Sequence, residues 1–238
     1  IMSILVMKFG GTSVANLSRI KNLQQLVKNK ILSGHRKIIV VVSAMSGVTN
    51  TLVEQYKNID SDINKPEYDV ILSTGEQYSS ALISTFLNKN GVRSRSILGW
   101  QIPIITDNKF SQARIERIDT EKILKLFKKF NVLVVAGFQG ISPEGRITTL
   151  GRGGSDTSAV AMAVALKSKI CEIYTDVEGI FSSDPRVVRD AKKIKNITYE
   201  EILEMASLGS KVLHPRSVEL AMKYDIKIHV RSSFNRKL

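Results

Sequence analysis

The sequence predicts an α/β fold built on a largely parallel β-sheet. Three observations carry this: apolar runs of strand length recur along the chain, amphipathic segments of helix length separate them, and glycine-bearing turns follow several of the runs. Strands rich in β-branched or aromatic residues are expected at 4–9 (ILVMKF), 37–43 (KIIVVVS), 93–98 (RSRSIL), 132–138 (VLVVAGF), 171–176 (CEIYTD) and 226–230 (IKIHV). After the first of these, Ile20, Leu23, Leu26, Val27 and Ile31 make one apolar stripe over 17–32, and Gly34 is placed to stop that helix. The stretch 59–67 (IDSDINKPE) reads as a surface loop. Helices are expected around 68–90 and 120–130, the second capped by Asp119 or Thr120. Residues 159–166 (AVAMAVAL) suit a helix packed closely on the sheet, and Pro215 opens a last helix reaching about Tyr224. No repeat, low-complexity tract or linker divides the chain.

Composition excludes several classes of function. The chain has 238 residues, 43% of them hydrophobic, enough to bury a substantial core. Its longest apolar runs fall far short of the roughly 18 to 20 residues that cross a bilayer. The first residues, IMSILVMKFGG, lack a basic n-region and a small-residue cleavage site, so a cytoplasmic protein is expected. A single cysteine, Cys171, excludes an internal disulfide and reads as a buried strand residue, and His35, His214 and His229 have no zinc-site spacing. The net charge of +13 raises nucleic-acid binding. However, much of the excess lies in 122–130 and 189–196, where lysines alternate with apolar residues as on a wet helix face or surface loop, and the aromatics form no stacking platform. Neither nucleic acid nor membrane is expected as a partner.

The chemistry points to phosphate. Glycine turns at 8-KFGGTS-13, 43-SAMSGVTN-50, 137-GFQG-140 and 151-GRGGSD-156 follow strand-like runs, and the carboxyl ends of parallel strands form the edge where open α/β sheets bind ligands. Such turns let backbone N–H groups approach an anion, and a following helix adds its positive end. Neither a G-x-x-x-x-G-K-[ST] loop nor a G-x-G-x-x-G fingerprint is present, because Asp156 stands at the last glycine position. Lys8, Arg152, Arg186 and Lys211 sit in or near these turns and the later polar loops, and such cations suit a reaction between a polyphosphate and a second anion. Asp156 and Asp176 are the complementary carboxylates, able to orient lysines, meet Mg²⁺ or contact a ribose. Helix capping for Asp156, which could coexist with function, and turn formation for Asp176 are their plainer readings.

Seven segments in order resemble the aspartate kinase catalytic domain of the amino acid kinase family: 8-KFGGTSV-14, 41-VVSAMSGVTN-50, 74-TGEQYSSAL-82, 136-AGFQG-140, 148-TTLGRGGSDTSA-159, 174-YTDVEGIFSSDPR-186 and 208-LGSKVLHPRS-217. The resemblance covers nearly the whole chain. It implies a three-layer αβα sandwich forming one catalytic domain over 1–238, with an acceptor-binding lobe over about 1–140 and a nucleotide-binding lobe over about 141–238. The implied reaction uses ATP and Mg²⁺ to phosphorylate the β-carboxylate of L-aspartate, the first step towards lysine or diaminopimelate, threonine and methionine. A free aspartate carboxylate, with a pKa near 3.9, is already ionised at neutral pH and needs no general base.

By the same resemblance, Lys8 and Asp156 are catalytic, Lys8 meeting the transferring phosphoryl group near Gly10 and Gly11 and Asp156 holding lysines in place. Ser43, Thr49, Glu76, Arg152 and Ser155 contact the acceptor. Arg152 grips its α-carboxylate through a planar fork, and Glu76 meets its α-amino group. Thr175, Asp176, Phe181, Arg186 and Lys211 lie in nucleotide-binding segments. A homodimer is implied. Glu178 stands where proline or another residue is common in the family, and Phe181 where tyrosine is common. No ACT regulatory domain is contained in 1–238, and the family's further Gly-Thr strand segment is expected beyond Leu238. Two alternatives stay open: a module that binds ATP or aspartate with little or no turnover, and another member of the family, such as an acetylglutamate, glutamate or uridylate kinase.

Overall fold

The computed structural model describes residues 4–183, 187–207 and 212–234. The first part of the chain runs β1 (Leu5–Phe9), α1 (Leu17–Leu32), β2 (Ile38–Val42), α2 (Val48–Lys57), α3 (Pro66–Lys89), β3 (Ser94–Ile97), β4 (Ile104–Thr106) and β5 (Ile115–Ile118). It continues through α4 (Thr120–Leu126), β6 (Val132–Ala136), β7 (Gln139–Ile141), β8 (Ile147–Thr149) and α5 (Gly154–Ala165). The last described elements are β9 (Ile170–Thr175), β10 (Ile180–Phe181), β11 (Lys193–Ile194), α6 (Tyr199–Ser207), α7 (Pro215–Lys223) and β12 (Lys227–Ser232).

The main sheet has six strands in the order β12-β9-β1-β2-β6-β3, and every pairing in it is parallel. These are the six strands expected from the sequence. β2 and β6 are buried at all five positions, as strands covered on both faces must be. Alternate residues serve opposite faces. Val6, Ile39, Val41, Leu133 and Val135 pack with Val160 and Met162 of α5, Ile202 of α6 and Val218 of α7. Leu5, Met7, Phe9, Val40 and Val134 pack with Ile20, Leu23 and Val27 of α1 and with Ile83 and Leu87 of α3. The result is the three-layer αβα sandwich.

Helix ends follow the local signals. Asn16 caps α1 by accepting from the Arg19 N–H at 3.1 Å, and Gly34, at φ +101°, turns the chain after it. Asp119 caps α4 by accepting from the Lys122 N–H at 3.1 Å. Pro215 occupies the start of α7. The basic stretch within 122–130 does present its lysines to solvent around a buried Ile123 and Phe127.

Several elements depart from the sequence expectation. The turn at 43–50 does not stay a turn: its second half is the first turn of α2, which packs on α3 through Tyr56 and Tyr68, rings edge to face at 5.0 Å. A second, mixed sheet, β5-β4-β7-β8, has strands of only three or four residues, too short to show a period of two. Gly140, read as part of an anion-binding turn, instead lies inside β7. A side chain there would strike the Ile104 carbonyl of β4, so this glycine serves strand packing. Among the described residues no helix is long and apolar enough to cross a membrane.

Candidate active site

β1, β2 and β6 end side by side, so the turns at 10–11, 43–47 and 137–138 are neighbours at one sheet edge. The Ser43 N–H donates to the Phe9 carbonyl at 3.1 Å and the Gly137 N–H to the Val42 carbonyl at 3.0 Å. These bonds fix the spacing of the turns. A cleft of about 960 Å³ opens there, lined by Lys8, Gly11, Ser43, Thr49, Glu76, Arg152, Ser155 and Asp156 among others. All seven residues assigned to catalysis or acceptor binding therefore share one cavity. They come from both halves of the chain, with Arg152, Ser155 and Asp156 beyond residue 140.

Two helices aim their N-termini at this cleft. α2 starts after Gly47 and α5 after Gly153, both left-handed, and neither start is capped by a side chain. The first N–H groups, of Val48 and Gly154, donate to the Met45 and Gly151 carbonyls at 3.0 Å, while no side chain caps the N–H groups that follow, where the helix dipole favours an anion. Gly153 is constrained twice: its φ is +68°, and a side chain there would run into His214. The plain capping reading of Asp156 is not what the structure holds. Asp156 instead meets Lys8, with Nζ and Oδ1 2.6 Å apart and side chains only 11% and 12% exposed. Lys8 points from the end of β1 and Asp156 from the first turn of α5, so this pair joins the sheet to the glycine loop.

Glu76 lies in the middle of α3 rather than at an exposed helix start. It is 4% exposed, and its Oε1 accepts from the Ala44 N–H at 2.9 Å. Its Oε2 is buried with no protein partner. Burial raises its pKa from 4.5 to about 7, against the pull of the hydrogen bond from Ala44. A carboxylate oxygen so placed is suited to an ammonium group arriving in the cleft. Arg152 is exposed and makes no hydrogen bond or ion pair among the described residues, leaving its donor fork free for an anion.

The nucleotide-side residues are placed differently. Gly10 follows β1 beside Lys8, and its N–H donates to the Tyr174 carbonyl at 3.2 Å. Thr175 ends β9, and its hydroxyl donates to the exposed Asp176 at 3.1 Å. Phe181 is half-buried in the two-residue strand β10, paired with Lys193. None of these four lines the large cleft. Arg186 and Lys211 lie outside the described residues. Cys171 is buried, and desolvation pushes its thiol pKa up, so it is the inert strand residue expected.

Sequence reasoning missed two polar residues lining the site and a third, fully buried, behind it. His214 lines the cleft with its Nδ1 buried and unpartnered, its pKa lowered first by burial and then by Arg216. Arg216 donates to the Leu150 carbonyl at 2.6 Å and the Ala113 carbonyl at 3.2 Å, bracing the approach to the glycine loop. Both stand in the quoted segment 208–217, where the motif itself was the available signal. The third, Asp69, had no comparable signal.

The fold and cleft define an α/β domain that gathers anion-binding turns and charged side chains at one sheet edge. The chain belongs to the amino acid kinase family, whose model matches residues 3–232. It is 48% identical over 237 residues to an aspartokinase of Rickettsia felis, covering 98% of this chain and 59% of that protein. The structure of an aspartate kinase from Synechocystis superposes with a TM-score of 0.84 at 47% identity, covering 98% of this chain and 38% of that one. Aspartokinase III of E. coli, solved in complex with aspartate and ADP, superposes with a TM-score of 0.82 at 30% identity, covering 98% and 63%. The chain thus spans about three fifths or less of the length of these relatives.

Proposed function

We propose that this protein is an aspartate kinase, transferring the γ-phosphate of ATP to the β-carboxylate of L-aspartate to give 4-phospho-L-aspartate. The observation that carries the reading is one cleft holding a buried Lys8–Asp156 pair, a buried free oxygen of Glu76 and an unpaired Arg152. These are the groups an amino acid with two carboxylates requires when it meets a polyphosphate. Relatives named aspartokinase, one of them solved with aspartate and ADP, support the same substrates.

In this reading Arg152 pairs with the α-carboxylate and Glu76 with the α-amino group, while Ser43, Thr49 and Ser155 complete the acceptor contacts. The β-carboxylate is left facing Lys8. The acceptor is ionised, so catalysis consists of alignment and charge neutralisation. Lys8, held in place by Asp156, stabilises charge on the phosphoryl group in flight, and the uncapped N-termini of α2 and α5 add N–H donors. Gly10, Gly11, Thr175, Asp176, Phe181, Arg186 and Lys211 are assigned to ATP, placing acceptor recognition mainly in residues 1–140 and nucleotide recognition mainly beyond.

Mg²⁺ belongs to this proposal. Mg²⁺ takes one or two carboxylates beside substrate phosphates, a demand that the exposed Asp176 next to the Thr175 hydroxyl can meet. When bound, it would neutralise phosphate charge, with Asp176 as the exposed carboxylate on the nucleotide side. A homodimer and a cytoplasmic setting in the pathway to lysine or diaminopimelate, threonine and methionine complete the reading.

The test is direct. Purified protein given Mg-ATP and L-aspartate should form an acyl phosphate that hydroxylamine traps, and Lys8→Ala should abolish it. Folded protein that yields product with acetylglutamate, glutamate or uridylate but none with aspartate would overturn the substrate assignment.

A further inference from the structure

We infer that Asp69 is a positioning residue for acceptor recognition, locking the approach to the glycine loop that carries Arg152 onto the helix that carries Glu76. The inference rests on the proposed roles of Glu76 and Arg152. Asp69 is the fourth residue of α3 and has no exposed surface. Both its oxygens accept from the Ser111 N–H at 3.0 Å, Oδ2 accepts from the Thr149 N–H at 2.6 Å, and Oδ1 accepts from the Thr149 hydroxyl at 2.7 Å. No ion pair to a cation is found for it among the described residues. A buried carboxylate without a counter-charge is costly to keep and survives only when several donors converge on it.

What those donors belong to gives the residue its role. Thr149 ends β8 and Arg152 follows three residues later. Between them, the Leu150 carbonyl accepts from Arg216 of α7 at 2.6 Å. Gly151, at φ +74°, packs so closely on Ser111 that a side chain would come within 2.9 Å of the Ser111 carbonyl. Ser111 itself has φ +63°, a strained setting for a residue with a side chain, and its N–H is one of the groups Asp69 accepts from. Residues 149, 150 and 151 are thus fixed in succession, by Asp69, Arg216 and Ser111. Glu76 stands seven residues after Asp69, two turns along α3 and on the same face, roughly 10 Å away along the axis. One helix face therefore carries the proposed amino-group contact and the anchor of the loop bearing the proposed carboxylate contact. An amide at position 69 would set an NH₂ group against converging N–H donors.

The test compares wild type, Asp69→Asn and Thr149→Val in steady-state kinetics with each substrate varied. A positioning role predicts that Asp69→Asn raises the KM for aspartate by about tenfold or more while the KM for ATP stays within about twofold. Thr149→Val, which removes one donor, should shift the aspartate KM in the same direction by a smaller factor. Loss of active fraction or melting temperature with both KM values unchanged would make Asp69 purely structural and overturn the inference. If Asp69→Asn does not fold, Thr149→Val decides, and an unchanged aspartate KM overturns it. The two possible failures separate: wild type that forms no acyl phosphate with aspartate overturns the proposed function and this inference together, whereas active wild type with an unmoved aspartate KM in the variants overturns this inference alone.

Discussion

The acceptor side and the nucleotide side of the cleft edge are built in opposite ways. Glu76 and the Lys8–Asp156 pair are largely withdrawn from solvent and project from a 24-residue helix, a central strand and a buried helix start. Asp176 and residues 187–190 are exposed, and Phe181 rides on a two-residue strand. Charge interactions strengthen as water is excluded and fade when it is not. The difference teaches where precision is concentrated: Glu76, Lys8 and Asp156 are fixed by the core, with the exposed Arg152 the exception among the acceptor groups, while Asp176 and Phe181 sit on short connections. Substitutions on the first side should therefore change rate and stability, and on the second only modestly change affinity.

The largest effect should come from Asp156→Asn. Its carboxylate lies 2.6 Å from Lys8 Nζ, and losing its charge leaves a nearly buried ammonium without its partner. We expect kcat to fall by about 10²–10³-fold, the scale seen when one preorganised electrostatic group is lost, with the KM for ATP little changed. Initial-rate measurements at saturating substrates check this. A kcat within about threefold of wild type would break the comparison, because the most enclosed ion pair of the cleft would then be only structural.

Much of this arrangement was legible in the sequence, for physical reasons. The central strands β2 and β6 are continuous, mostly β-branched apolar runs because both faces are buried, and α1 carries a full apolar stripe. The small sheet was not legible, since strands of three residues such as Ile104–Thr106 and Gln139–Ile141 carry no detectable period. At the site, Lys8, Glu76, Arg152 and Asp156 stood beside glycines or within recognisable segments and do meet in one cleft. Asp69 did not stand out, because its partners are 42 and 80 residues away in sequence and a carboxylate in a first helical turn ordinarily needs no other explanation.

A smaller and more diagnostic effect should follow Glu76→Gln. In the folded protein burial holds Glu76 near pKa 7, against 4.5 for an ordinary glutamate. The folded state thus binds the proton more tightly than the unfolded chain does. The stabilisation from that proton is complete below about pH 4.5 and is lost as pH rises through 7, leaving the ionised Glu76 to cost on the order of 3 kcal/mol at pH 8. Glu76→Gln should therefore raise the melting temperature of the ligand-free protein by several degrees at pH 8 and by little at pH 5. The same change should raise the aspartate KM about tenfold at pH 8, an effect that shrinks below pH 7 where wild type is itself protonated. Thermal melts and KM values at both pH values check the two signs. A variant that gained neither stability nor KM would show that the acceptor side does not hold a charge at the expense of the fold.

The smallest effect should be Phe181→Tyr, which adds the hydroxyl that the family resemblance leads one to expect at this position. Phe181 is half-buried on β10 and does not line the large cleft, so a new hydroxyl competes with water for any partner. A net hydrogen bond in such a setting sits at the low end of its usual worth, about 0.5 kcal/mol, which corresponds to roughly a twofold fall in the KM for ATP. The KM for aspartate and the melting temperature should not move. A fall of tenfold or more, measured with ATP varied at saturating aspartate, would mean that the nucleotide side encloses its ligand as firmly as Glu76 and Asp156 are enclosed. The contrast between an enclosed Glu76 and Asp156 and a loosely built nucleotide side would then fail at β10.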